Sequence, residues 1–248
     1  MHPFLDAPRP IAIAHRGGAA EAVENTLEAF EASHELGYRY LETDARLTAD
    51  GVVVAFHDGR IDRVSSASGK ISDWRWEDLQ KVPLDGSGRL VSVEELLRLF
   101  PESRFNLDAK SNEVVLPLLA VIDDARAFDR VCIGSFSERR LDLARSMYGD
   151  RLCTSLGPRA ILDLVIRSRG IRRTRGEGLA AQAPPTFRGI PVISKRFVDQ
   201  AHDEGLVVHA WTIDEPAEMH RLLDLGVDGI MTDQPAVLRQ VMEERGIW

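Results

Sequence analysis

Short apolar runs alternate with amphipathic stretches along the whole chain. Eight runs read as strands, at 11–14, 38–45, 104–109, 131–135, 152–155, 179–182, 206–212 and 229–232. Helix signals lie between them. Asn25 reads as a cap before TLEAFEASHEL with Gly37 closing it, and Ser92 with Glu95 as a capping box opening VEELLRLF. Strand and helix in succession imply parallel strands joined by helical crossovers. Eight such strands predict an α/β fold of the TIM-type (β/α)8 barrel class, whose reactive residues gather at the C-terminal ends of the strands. An open doubly wound sheet is the alternative.

One stretch departs from that order. In RYLETDARLTADGVVVAFHD, residues 39–58, Asp50-Gly51 joins two strand-like runs so closely that the chain must return antiparallel, as a hairpin excursion from the barrel. With Asp50 and Gly51 as a two-residue loop, facing positions sum to 101, which sets His57 opposite Asp44. Glu42 shares Asp44's face because side chains repeat every two residues. A solvated hairpin with Asp58 as a cap is the bland reading of the same residues.

Composition narrows the class. The chain has 248 residues, 44% of them hydrophobic, enough for one barrel domain spanning 1–248. A net charge of -8 argues against nucleic acid as a partner and favours a small-molecule ligand. The apolar run VVLPLLAVI, 114–122, is too short to cross a membrane, and residues 1–10 lack a basic start with an apolar continuation. The expectation is a cytoplasmic protein without stable membrane insertion. Cys132 and Cys153 lie in apolar strands and read as buried core thiols. The basic run RSRGIRRTRGEG, 167–178, reads as a solvated loop on the barrel face opposite the site.

Candidate chemistry concentrates at the ends of the first three barrel strands. IAIAHRGG closes on His15 and Arg16, with glycines that let a ligand approach the backbone. NLDAK sets Asp108 and Lys110 on one face. Together with the hairpin, one rim thus holds two histidines, three carboxylates, an arginine and a lysine. A lone histidine is more often a satisfied core or surface residue. So many ionisable groups in one place would be costly to bury without a bound charge to balance them.

These residues carry a resemblance to the glycerophosphodiester phosphodiesterases. The matching motifs are His15-Arg16-Gly17, Glu24-Asn25-Thr26, Glu42-Thr43-Asp44, Thr48-Ala49-Asp50-Gly51, His57-Asp58, Asp62-Arg63, Asp108-x-Lys110, Ser135-Phe136, Trp211-Thr212-Ile213 and the run from Gly226 to Asp233 before Pro235. The resemblance covers nearly the whole chain. It implies a TIM-type barrel that hydrolyses glycerophosphodiesters to glycerol 3-phosphate and an alcohol with a divalent cation, Mg2+ or Ca2+, with Mn2+ as a third candidate. It further implies Glu42 and Asp44 as metal ligands, His15 and His57 as the acid/base pair, and Arg16 and Lys110 as phosphate contacts. Trp211 and, more weakly, Gln182 are expected to face the substrate, while the deeper His209 reads as core. Glu24 reads as a partner of Arg16 or a metal-site residue.

Asp108 stands where the family usually has glutamate, and is expected to ligate the metal directly or to orient Lys110. Residues 59–103 form a long insertion, which in the family is a small cap over the site, and substrate choice is assigned to it. Trp74 and Trp76 are expected to anchor that cap. No apolar entrance is evident, which favours water-soluble diesters over the alternative lysophospholipid phosphodiesterase. A non-catalytic barrel binding phosphate or a polyol would be expected to lack one histidine or carboxylate of this set.

Overall fold

The computed structural model describes residues 2–20, 22–86 and 88–248. In chain order the elements are β1 (Ile11–Ala14), α1 (Leu27–Glu35), β2 (Tyr40–Leu47), β3 (Val53–Ala55), α2 (Trp76–Leu79), α3 (Val93–Leu99), β4 (Arg104–Ala109), α4 (Val115–Asp124), β5 (Val131–Gly134), α5 (Glu138–Tyr148), β6 (Cys153–Thr154), α6 (Pro158–Arg167), β7 (Ala180–Ala183), β8 (Thr186–Phe187), β9 (Ile190–Pro191), α7 (Lys195–Asp203), β10 (Val207–Ala210), α8 (Pro216–Leu225), β11 (Gly229–Thr232) and α9 (Pro235–Glu244). All eight expected barrel strands form. They pair in parallel in the order β6-β5-β4-β2-β1-β11-β10-β7. The ring is completed between β6 and β7, where Leu179 N donates to Thr154 O at 2.9 Å and Leu156 N to Ala180 O at 2.8 Å. The barrel, not the open sheet, is the fold.

Period-two alternation divides each strand between two environments. One row faces the helices, where Leu41, Phe105, Leu107, Ile133, Val208 and Ile230 join the main core. The other row faces the barrel interior, where Ile11, Ile13, Tyr40, Cys132, Cys153, Val207 and Met231 form a second cluster. Both cysteines therefore sit in the interior core, paired in register across β5 and β6. A short 3-10 turn, Pro3–Leu5, plugs the N-terminal end of the barrel. There Phe4 meets Tyr40 edge-on at 5.4 Å, and Tyr40 Oη donates to Phe4 O at 2.7 Å.

The hairpin forms with a different register. Ala45 faces Ala55, Arg46 faces Val54 and Leu47 faces Val53, so facing positions sum to 100. The loop is Ala49-Asp50-Gly51, closed where Thr48 N donates to Val52 O at 3.0 Å, and Gly51 takes φ +83°. That left-handed residue accommodates a third loop position without steric cost. In consequence Phe56, whose N–H donates to Asp44 O at 2.8 Å, occupies the place expected for His57, and His57 lies just beyond the strand.

Two other expectations change, and the packing of the insertion agrees with expectation. Thr26, not Asn25, caps α1, its Oγ1 accepting from Ala29 N at 3.3 Å, while Asn25 is buried at φ +59°. Residues 59–103 build their own small core of Ile61, Ile71, Leu79, Leu84 and Leu90 on Val54 and Phe56, and Trp74 and Trp76 pack against it. The basic run starts at the far end of α6, where Arg167 pairs with Glu204 after α7, but it does not stay on that face. Ala180 bridges Ser155, so β7 starts level with the end of β6, and the chain must climb the outer wall to reach it. On the way Glu177 O accepts from Arg145 of α5 at 2.8 Å, and Gly176 packs on Ala160 of α6. Among the described residues, no helix is long and apolar enough to cross a membrane.

Candidate active site

The interior row changes character toward the strand ends. Ile13 is followed two residues on by His15, Tyr40 by Glu42 and Asp44, Asn106 by Asp108 and Lys110, and Met231 by Asp233. In-register pairing sets Glu42 beside Asn106 and Asp44 beside Asp108. Parallel strands thus stack a polar layer on the apolar one. His15, Arg16, Glu42, Asp44, His57, Asp108, Lys110, Gln182 and Trp211, all anticipated from the sequence, line a single cavity of about 580 Å3.

Each histidine is held by a carboxylate at one nitrogen. His15 Nδ1 lies 2.7 Å from Asp233 Oδ1, and His57 Nδ1 lies 2.7 Å from Asp58 Oδ1. Both rings keep Nε2 for other partners, and that of His15 stands 3.7 Å from Glu42 Oε2. Burial lowers the proton affinity of His15, but the Glu42 and Asp233 carboxylates more than offset this and leave its pKa raised. Asp58 is no bare cap: Arg63 from the insertion binds it and Glu24 together.

The carboxylates are nearly dry. Glu42 is 4% exposed and Asp44 1%. Burial, then the Asp44 charge, push Glu42 up to about 7. Asp44 goes the other way: burial opposes its ionisation, but Lys110, then Arg16 and His57, outweigh burial and lower its pKa. Lys110 Nζ donates to Asp108 Oδ2 at 2.6 Å and lies 2.7 Å from Asp44 Oδ1. Burial lowers the lysine's pKa, yet those two partners raise it beyond its usual value. Arg16 adopts φ +51°, its N–H donates to Glu42 Oε2 at 3.0 Å, and its Nη1 donates to both Glu24 oxygens at 3.1 Å. Glu24 therefore partners Arg16. Asn25 Nδ2 donates to Asp44 Oδ2 at 3.3 Å and its Oδ1 accepts from Thr43 at 2.7 Å, so this residue braces the acidic strand.

The donor set suits a hard divalent cation. Glu42, Asp44 and Asp108 offer only oxygen ligands, Glu42 is disfavoured as a bare anion, and Asp108 Oδ1 is buried with no hydrogen-bond partner. As the side chains stand, Lys110 bridges two of the three, and among the described residues no three acidic, histidine or cysteine groups converge at metal-binding distance. A cation placed there would have to compete with Lys110 for the same oxygens.

The remaining walls keep Gln182 and Trp211 where they were expected and depart from expectation in the outer wall. Gln182 Nε2 donates to Asn106 Oδ1 at 2.8 Å and stands 3.3 Å from Nδ1 of His209, which is 1% exposed and belongs to the core. Trp211 meets Phe136 edge-on at 5.6 Å. Among the described residues, none from 59–103 lines the cavity. Its outer wall comes from α6 and the β8–β9 hairpin instead, and that wall is apolar. Two residues with clear roles, Asp233 and Asn25, were not assigned them from the sequence. Asp233 follows β11 in the same row as Met231, so the barrel alternation could have found it; Asn25 gave only a capping signal.

The sequence profile of the glycerophosphoryl diester phosphodiesterase family matches residues 15–237. A Mycobacterium tuberculosis protein named probable glycerophosphodiester phosphodiesterase 2 is 40% identical over 251 residues, 99% of this chain and 95% of its own. A solved structure described as a putative glycerophosphoryl diester phosphodiesterase of Silicibacter pomeroyi superposes with a TM-score of 0.82 at 24% identity, covering 100% of this chain and 99% of that one. A phosphodiesterase of Oleispira antarctica, solved with the product sn-glycerol-3-phosphate, superposes with a TM-score of 0.78 at 20% identity over 95% and 97% of the two chains. With a match over nearly its whole length and a relative so similar in sequence, the chain belongs to the glycerophosphoryl diester phosphodiesterase family and is a hydrolase of phosphoric diesters.

Proposed function

We propose that the chain cleaves glycerophosphodiesters to glycerol 3-phosphate and an alcohol in a metal-dependent reaction in which His15 and His57 divide the proton work. The observation that carries this reading is the pair of histidine–carboxylate contacts, His15 with Asp233 and His57 with Asp58, opening on one cavity with three buried carboxylates. A carboxylate at Nδ1 fixes the ring and stabilises its protonated form, which leaves Nε2 to exchange a proton with substrate. One imidazole accepts the proton of the attacking oxygen and the other donates to the departing alkoxide. A barrel that only bound phosphate or a polyol would have no use for two such pairs.

Glu42, Asp44 and Asp108 would hold the cation, Mg2+ or Ca2+ with Mn2+ as a third candidate, which when bound neutralises charge growing on the phosphoryl oxygens. Lys110 and Arg16 bring fixed positive charge to the same rim. Both are held in ion pairs, so their geometry is set before substrate arrives.

The test is a glycerophosphodiester panel with coupled detection of glycerol 3-phosphate. Chelation should abolish turnover and a divalent cation should restore it. His15→Ala and His57→Ala should each lower kcat by at least about 100-fold, the low end of general acid/base contributions. Full turnover in metal-free protein would refute the metal requirement, and near-normal kcat in either variant would remove that histidine from the reaction.

A further inference from the structure

The insertion, 59–103, gives the cavity none of the described residues that line it, yet it reaches the site through one side chain. Arg63 Nε donates to Asp58 Oδ2 at 2.5 Å, while its Nη2 and Nη1 donate to the two oxygens of Glu24 at 2.5 and 3.2 Å. Asp58 holds His57 at Nδ1, and Glu24 holds Arg16. One guanidinium therefore closes a chain of alternating charge that runs from His57 through Asp58, Arg63 and Glu24 to Arg16. The two carboxylates belong to separate segments, Glu24 after β1 and Asp58 after β3. Among the described residues, Arg63 is the one side chain paired with both.

The orientation of His57 depends on this chain. Arg46 fixes the His57 carbonyl, donating from Nε at 3.1 Å and Nη2 at 2.8 Å, but among the described residues only Asp58 hydrogen-bonds the ring. A carboxylate on the adjacent residue can turn away unless its second oxygen is also held, and Arg63 holds it. Burial opposes ionisation of Asp58, yet the hydrogen bond from Arg63, then that with His57, outweighs burial and lowers its pKa. Arg63 itself stands on a turn pinned to the insertion on both sides. Ile61, 0% exposed in the insertion core, donates from N to Gly69 O at 3.0 Å; Val64 N donates to Ile61 O at 3.2 Å, and Val64 O accepts from Asp85 N at 2.7 Å. The Arg63 side chain is 49% exposed, so its ion pairs add little to folding stability. What a planar fork adds at such a place is a fixed geometry between two carboxylates.

We propose that Arg63 is a positioning residue for the reaction, whose fork sets Asp58 and Glu24 relative to each other and, through them, the His57 ring and the Arg16 guanidinium. The inference rests on the phosphodiesterase reading above and gives the insertion its part in it, which is to orient the rim from outside the cavity. Arg63 does not line the cavity and acts through two side chains that do.

The test uses Arg63→Ala and Arg63→Lys, with glycerophosphocholine as the diester. Each should lower kcat by about 10- to 100-fold, the scale of a misplaced reacting group, while urea midpoints move little at a half-exposed position. Lysine keeps the charge but, as a single point, cannot bridge two carboxylates. Ethylguanidinium should recover part of the loss in Arg63→Ala, and ethylammonium at the same concentration should not. A role confined to packing the insertion would give no such selective recovery. Arg60→Ala, which removes a neighbouring exposed arginine paired with Asp62, should leave kcat unchanged. A second readout needs no turnover. Long-range 1H–15N correlation spectra at alkaline pH, with the His57 ring assigned by its absence from His57→Gln, should show the proton on Nδ1 in the wild type and a mixture of tautomers in Arg63→Ala. A kcat near that of wild type in both variants, a loss that the two ions change alike, or unchanged ring shifts overturns the role of Arg63. Should the wild type hydrolyse no diester with any divalent cation, the phosphodiesterase reading fails separately. The ring shifts then decide for Arg63: a change supports its hold on His57, and none overturns it.

Discussion

His209 and His15 both belong to the interior row of the barrel, yet their surroundings drive them apart. Carboxylates beside His15 outweigh its burial. Among the described residues no carboxylate hydrogen-bonds His209; burial pushes it down to about 4, with Asp228 opposing and Arg9 adding to the fall. Gln182 Nε2, 3.3 Å from its Nδ1, donates to a ring that stays neutral. The depressed pKa has a consequence for stability. Between the ordinary histidine value and about 4, the unfolded chain binds a proton that the folded chain refuses, so this group's contribution is complete above pH 6.5 and is lost as pH falls toward 4. The loss amounts to about 3 kcal/mol. Urea unfolding of the wild type and of His209→Gln between pH 7.5 and 4.5 checks this, since the variant should lose stability less steeply. Parallel pH curves would show that His209 takes up a proton without penalty.

Among the elements, the hairpin shows what the sequence could and could not reveal. Strand alternation, the eight-fold βα order and the convergence of His15, Glu42, Asp44, His57, Asp108 and Lys110 were all legible, because each depends on spacing within one strand and on parallel strands sharing one end. The register was missed by one, because a two-residue and a three-residue loop around Asp-Gly leave the same apolar pattern and differ only in whether Ala49 belongs to the loop. Asp233 was not assigned to His15: the alternation along β11 places it on the interior row, but that β11 lies beside β1 follows only from closing the barrel, 218 positions away in sequence. The apolar wall from α6 was visible in principle, but a period of 3.6 shows that a face is apolar and not what covers it. Gly51 is the residue on which the loop depends. At φ +83°, with nothing within 4 Å of where a Cβ would stand, its replacement meets only backbone cost. Gly51→Ala should therefore lower stability by about 1 kcal/mol and Gly51→Asn by less, as urea midpoints at constant m-value would report. A neutral Gly51→Ala would show that the hairpin does not depend on a left-handed residue at this position.

Across the whole molecule, the barrel separates what holds it together from what it uses. At the N-terminal end the interior is apolar and closed by Phe4, which is 0% exposed; at the C-terminal end it carries mutually repelling carboxylates and cations held in ion pairs. The plug is tied to the rest by more than packing. Arg9 binds Asp228 at 3.1 Å, and Arg104, whose guanidinium lies 5.3 Å above the Tyr40 ring, donates to Asp6 O at 3.0 Å. Because strands run stiffly from one end to the other, stability can be removed at the base while the geometry at the rim persists. Phe4→Ala should cost about 3–5 kcal/mol, as a truncated buried aromatic does, because Tyr40 and the strand starts cannot close over the space left. Yet kcat should stay within a few-fold of wild type at temperatures where the variant remains folded, since no residue of the plug cluster except Trp211 and Met231 reaches the cavity. Urea unfolding and turnover measured on the same preparation separate the two quantities. A fall in kcat in step with the loss of stability would show that the rim depends on the base, and that the two ends of the barrel are coupled through the strands.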